Sequence, residues 1–167
     1  MVVRRLGRKY RPVEYEYLSQ FVAEYYPDAK VMLNVRLGTP PESLVYEDLS
    51  ESEQRMLTVY RRFCDAVIIT DHELIVVEAT MWPKPQKTAE LELYLNLVPH
   101  TPELQQYLDR RLVGMIVCPI DDPVMRQIVE SKGFRYVVYR PEWTTEFYSK
   151  YPPSWQSAAR WLPESTR

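Results

Sequence analysis

Two short apolar runs, Asp65–Thr70 (DAVIIT) and Glu73–Ala79 (ELIVVEA), stand only two residues apart. Both are rich in β-branched side chains and too short to make good helices, so each reads as a strand. Their near-continuous apolarity calls for cover on both faces of a sheet. Asp71-His72 between them reads as a two-residue hairpin turn. That turn fixes the register. Thr70 faces Glu73, and counting outward brings Asp65 opposite Glu78. Directly opposed residues share a face, with Cβ atoms roughly 4.5–5.5 Å apart.

The rest of the chain supplies partners for such a hairpin. Val13, Tyr17, Leu18, Phe21, Val22 and Tyr25 recur at helical spacing, with Pro12 in the first turn and Pro27 as the stop. Residues 13–26 therefore read as an amphipathic helix. Lys30–Leu37 is a strand candidate. Ser50 caps an expected inserted helix running to about residue 63. Residues 87–98 show Leu91, Tyr94, Leu95 and Val98 on one helical face, and Thr101-Pro102 opens a further short helix. Leu112–Cys118 reads as a buried strand. Asp122-Pro123 is a helix start, with the aspartate as cap and the proline at the first helical position. Gly133 ends that helix, and Phe134–Tyr139 is the last strand. The order α-β-(α)-β-β-α-β-α-β implies an α/β fold: a mixed sheet flanked by helices on both faces.

A chain of 167 residues suits one domain around a core that needs no disulfide staples. Cys64 and Cys118 both lie in apolar runs and read as buried free thiols. No apolar stretch reaches the length of a membrane span, and the first residues lack a secretory pattern, so the expectation is a cytoplasmic protein. The net charge of −2 hides an asymmetry, since Arg4, Arg5, Arg8, Lys9 and Arg11 crowd the start and leave the remainder acidic. The expected division is a basic arm over 1–12, a domain over 13–141 and a tail over 142–167 carrying Trp143, Trp155 and Trp161. The arm is a candidate for phosphate contact, a solvated tail, or a docking segment for a neighbouring subunit. The tail either packs back on the domain, the preferred reading, or anchors a partner.

Asp65 and Glu78 are the candidate chemical centre. Like charges directly opposed on a sheet repel. A hard divalent cation, a raised carboxyl pKa or a nearby basic side chain would each relieve them, and exposure at a strand end would need no relief at all. Two isolated histidines, His72 and His100, offer neither a zinc site nor a nucleophilic triad, and no phosphate-binding glycine loop is present.

The stretch from Asp65 to Thr80 resembles the core hairpin of the PD-(D/E)XK nuclease superfamily, with an aspartate on one strand and Glu78-Ala79-Thr80 in place of Glu-x-Lys. Glu90-Leu-Glu-Leu-Tyr94 resembles the Gln-x-x-x-Tyr motif of the RecB-like and Cas4-like branch. The resemblance spans about residues 13–140 and implies a restriction-endonuclease-like αβββαβ core. It implies a nuclease hydrolysing DNA, endo- or exo-acting, with Mg²⁺ or Mn²⁺ held by Asp65, Glu78 and the Ala79 carbonyl. It places an acid on the first helix, for which Glu24 is the leading candidate, with Glu14 and Glu16 behind it. Thr80 stands where the lysine belongs and carries no charge, so Lys84 or Lys87 would have to reach back. Arg4, Arg5, Arg8, Lys9, Glu90 and Tyr94 are the implied nucleic-acid contacts. The departures at Thr80 and Glu90 support a second expectation: a catalytically inactive nuclease-fold protein serving as a structural or assembly component of a virus or mobile element. In that reading the arm and tail bury surface against a second copy or another protein, and a virion is an alternative location.

Overall fold

The computed structural model describes residues 11–39 and 62–152. In chain order they form α1 (Arg11–Tyr25), β1 (Lys30–Leu37), β2 (Arg62–Ile69), β3 (Glu73–Ala79), α2 (Gln86–Leu97), β4 (Arg111–Cys118), α3 (Pro123–Ser131), β5 (Arg135–Val138) and α4 (Trp143–Lys150). Two 3₁₀ turns, Val98–His100 and Pro102–Tyr107, join α2 to β4. Among the described residues the strands make one five-stranded sheet in the order β1-β2-β3-β4-β5. The first two pairings are antiparallel and the last two parallel. The α/β mixed sheet read from the sequence is therefore the fold observed.

The inserted helix expected over residues 50–63 lies mostly outside the described residues, but Arg62 and Phe63 already belong to β2. Cross-strand pairing with Leu37 and Arg36 overrides the helical spacing there. The segment 155–162, read as a short helix, also lies outside the described residues.

Alternation along β3 sends Leu74, Val76 and Glu78 to one face and Glu73, Ile75 and Val77 to the other. Helix α2 lies over the first face. The parallel register sets Val76 beside Gly114 and Glu78 beside Ile116, so Gly114 points to the same side. A Cβ on Gly114 would come within 2.8 Å of Leu95 Cδ1 and 3.1 Å of Leu91 Cδ2, which shows how closely α2 sits on β4. The opposite face meets the end of α1, where Tyr26 lies beside Arg135, itself bonded to Glu73.

Helix α3 starts as its sequence dictates. Asp122 Oδ1 accepts from the Val124 and Met125 amides at 2.9 and 3.0 Å, and Gly133 turns the chain out at φ +77°. Helix α4 carries Trp143 back onto α1, donating its indole N–H to Gln20 Oε1 at 2.8 Å and packing edge-on to Tyr17. Tyr17 is fully buried and donates its hydroxyl to the Tyr139 carbonyl at 2.7 Å. Its ring thus fills core volume while its polar end stays satisfied. Cys64 and Cys118 are both buried free thiols.

Candidate active site

The β2–β3 hairpin sets the site. Its register runs Ile69↔Leu74, Ile68↔Ile75, Val67↔Val76 and Ala66↔Val77, and the Thr70 amide donates to the Glu73 carbonyl at 3.0 Å to close the turn. The next positions outward are Asp65 and Glu78, as the two-residue turn requires. There the regular pairing gives way to side chains. The Asp65 amide donates to Glu78 Oε1 at 3.2 Å, and the Ala79 amide donates to Asp65 Oδ2 at 2.9 Å. Each carboxylate thus accepts a backbone amide from the opposite strand, which orients both on rigid elements.

The pairing of β1 with β2 is interrupted at the same level. Its register passes from Leu33↔Ala66 to Val35↔Cys64 with Asn34 and Asp65 left between, and Asn34 has φ +51°. Asparagine tolerates this left-handed conformation better than most residues. That trait is the one sequence signal in Lys30–Leu37 that could have marked a break beside Asp65.

Glu78 is buried, with 1% exposed. Burial pushes its carboxyl above the ordinary carboxylate range, and the Asp65 charge adds to the push; Lys87 and the Asp65 amide pull against it. Lys87, in the first turn of α2, places Nζ 2.6 Å from Glu78 Oε2 and 3.1 Å from Glu90 Oε2. Burial would lower the Lys87 ammonium, but the attraction of Glu78, its hydrogen bond, Asp65 and Glu90 together hold it above its ordinary value. Tyr94 is pushed up to about 12, first by burial, then by Glu78 and Glu90. Lys87, Glu90 and Tyr94 recur at helical spacing, so one face of α2 looks onto the acid pair.

Glu14, near the start of α1, is the helix acid that joins this neighbourhood. Burial and then the Asp65 charge raise its carboxyl, while Lys84, Lys87 and the Met81 amide lower it. Glu24 goes elsewhere: its Oε2 accepts from the Tyr139 hydroxyl at 2.7 Å. Ten residues of helix separate the two acids, roughly 15 Å along the axis. Thr80 is fully buried, and its hydroxyl donates to the Trp82 carbonyl at 2.7 Å, which ties it to the following turn. Arg4, Arg5, Arg8 and Lys9 lie outside the described residues. Among the described residues no group of three or more His, Cys, Asp or Glu side chains converges as a metal cluster. Asp65 and Glu78 are the adjoining oxygen donors.

No protein-family model matches the chain, and no curated protein matches it in sequence. Solved structures match over most of its length. A repair endonuclease from Pyrococcus abyssi shares 11% identity over 82% of this chain and 50% of that one, with a TM-score of 0.45. The EndoMS–dsDNA complex shares 12% over 84% of this chain and 49% of that one, at 0.46. A protein of unknown function shares 11% over 77% of this chain and 61% of that one, at 0.48. The chain thus spans about half the length of the first two of these proteins.

Proposed function

We propose that this chain is a divalent-cation-dependent nuclease acting on DNA phosphodiester bonds at Asp65, Glu78 and Lys87. The observation that carries the proposal is the Lys87 ammonium 2.6 Å from Glu78 Oε2. It restores, from the next helix, the positive charge that Thr80 lacks. The donor set suits a hard cation: two carboxylates on adjoining strands, one of them buried and repelled by the other. Asp65, Glu78 and the Ala79 carbonyl would hold Mg²⁺ or Mn²⁺, which would lower the pKa of water at the site and offset phosphate charge.

The chain's own residues do the remainder. Backbone amides hold both carboxylates in place, so little reorganisation is needed when a phosphate arrives. Lys87 orients the attacking water or balances charge that builds on the phosphate oxygens. Glu14 adds a carboxyl whose raised proton affinity suits it to share a proton at the site. DNA is the substrate implied by the resemblance of the hairpin, and the arm with Arg4, Arg5, Arg8 and Lys9 would add phosphate contacts.

The test is cleavage of plasmid and linear DNA with Mg²⁺ or Mn²⁺. Asp65→Ala and Glu78→Ala should each lower the rate by at least about 100-fold, within the range that charge-stabilising groups supply. Lys87→Met should lower it less than either acid variant. Folded acid variants that cut at the wild-type rate discard the assignment.

One observation favours the inactive assembly protein instead. The Lys87 ammonium by itself offsets the charge of the acid pair. On that reading no cation-dependent cleavage occurs, and removing residues 1–10 or 153–167 reduces the particle size measured by light scattering.

A further inference from the structure

Lys87 sits between two carboxylates of unlike character. Glu78 is buried on a strand, while Glu90 lies one turn along α2 with its side chain 45% exposed. The ammonium is nearer Glu78, at 2.6 Å, and already within 3.1 Å of Glu90. A cation on the Asp65–Glu78 pair and an ammonium on Glu78 Oε2 would repel each other at short range in a poorly solvated place. That repulsion favours an ammonium shifted away from Glu78. Lys87 is itself only 18% exposed, so its charge needs another acceptor if it leaves. Glu90 is the acceptor in reach, and a lysine stem is flexible enough to tip from one oxygen to the other.

We infer that Glu90 is a positioning residue: it receives the Lys87 ammonium when a divalent cation occupies Asp65 and Glu78. The cation and Lys87 then compete for Glu78, and Glu90 sets the balance. This rests on the cation site proposed above. A carboxylate at position 90 suits the role, because it carries a full charge where an amide would offer only a neutral oxygen.

The consequence is a pair of opposite effects on one quantity. Lys87→Met removes the competitor and should tighten Mn²⁺ binding about ten-fold, a middling value for coupling between charged neighbours. Glu90→Gln removes the receiving seat and should weaken Mn²⁺ binding. Loss of a negative charge would also weaken binding directly, so the double variant decides. If Glu90 acts through Lys87, Glu90→Gln has little effect once Lys87 is methionine.

The experiment is calorimetric titration of Mn²⁺ into the full chain, the two single variants and the double variant. Wild-type affinity in Glu90→Gln overturns the inference and leaves the cation site standing. An undiminished Glu90→Gln loss in the Lys87→Met background also overturns it, since Glu90 then acts on the cation directly. No Mn²⁺ binding by the wild type discards both the cation site and the inference. Should Lys87→Met fail to fold, crystals of the wild type with and without Mn²⁺ give the answer. Nζ within hydrogen-bond distance of Glu90 and withdrawn from Glu78 in the Mn²⁺ form supports the inference, and Nζ still on Glu78 overturns it.

Discussion

Replacing Gly114 with alanine should loosen the seat of α2, the helix that delivers Lys87, Glu90 and Tyr94. A Cβ at this position would stand 2.8 Å from Leu95 Cδ1, 3.0 Å from Phe134 Cδ1 and 3.1 Å from Leu91 Cδ2. Real Cβ atoms do not approach carbon so closely, so something must move. Leu91 is fully buried and has nowhere to go. Leu95 and Phe134 are half-buried and can turn outward, at the cost of contacts with the sheet. Inserting a methyl group into packing of this kind costs about 1–3 kcal/mol. Against that, alanine in a strand recovers about 0.5–1 kcal/mol that glycine loses through its larger unfolded freedom. The net expectation is a loss of about 0.5–2 kcal/mol, or a few degrees in Tm for a chain of this size. Urea denaturation followed by circular dichroism measures the loss directly, provided the denaturant slope is unchanged. Gly133→Ala is the control. Its Cβ meets nothing within 4 Å, but its φ of +77° strains any L side chain. It should lose about 1–2 kcal/mol from backbone strain alone, with α2 undisturbed. A Gly114→Ala chain as stable as the wild type would refute the close seating of α2 on β4.

At the other end of the strands, Glu73 accepts from Arg135 at 2.9 and 2.6 Å and also from Arg111. The hydrogen bonds from Arg135, then those from Arg111, hold its carboxyl down at about 2. A depressed carboxyl stabilises the fold above its ordinary value of 4.5 and loses that contribution as pH falls toward about 2. Glu73→Gln should therefore be less stable than the wild type at neutral pH, with the gap closing between those limits; a gap constant from pH 7 to pH 2 would refute the charge pairing. Asp122→Ala removes the acceptor for the Val124 and Met125 amides and should cost about 1 kcal/mol. No change in the denaturation midpoint would show that the cap contributes nothing.

The hairpin was legible because its side-chain period is two and its turn has two residues, so a single count fixes which positions oppose. Asp65 and Glu78 could be paired before any coordinates. The Asp122-Pro123 start and the Gly133 stop were equally local, since capping depends on residues within one turn. The strand at Arg62 and Phe63 was not legible, because its pairing with Leu37 and Arg36 reaches across more than twenty residues of chain. Asn34 is hard to read locally for a related reason: its left-handed backbone makes sense only once β2 lies alongside.

What the chain's own letters determined was the α/β order, the hairpin register and the opposition of two acids. Which helix side chains meet that pair was decided only in three dimensions. Lys84 and Lys87 are equivalent in a linear reading, yet it is Lys87 that reaches Glu78. Glu14 and Glu24 share one helix, yet the first comes near Asp65 and the second bonds Tyr139. A strand pair carries its geometry in local backbone hydrogen bonds, whereas a helix meets a sheet through distant packing, here through Gly114 and the small space it leaves.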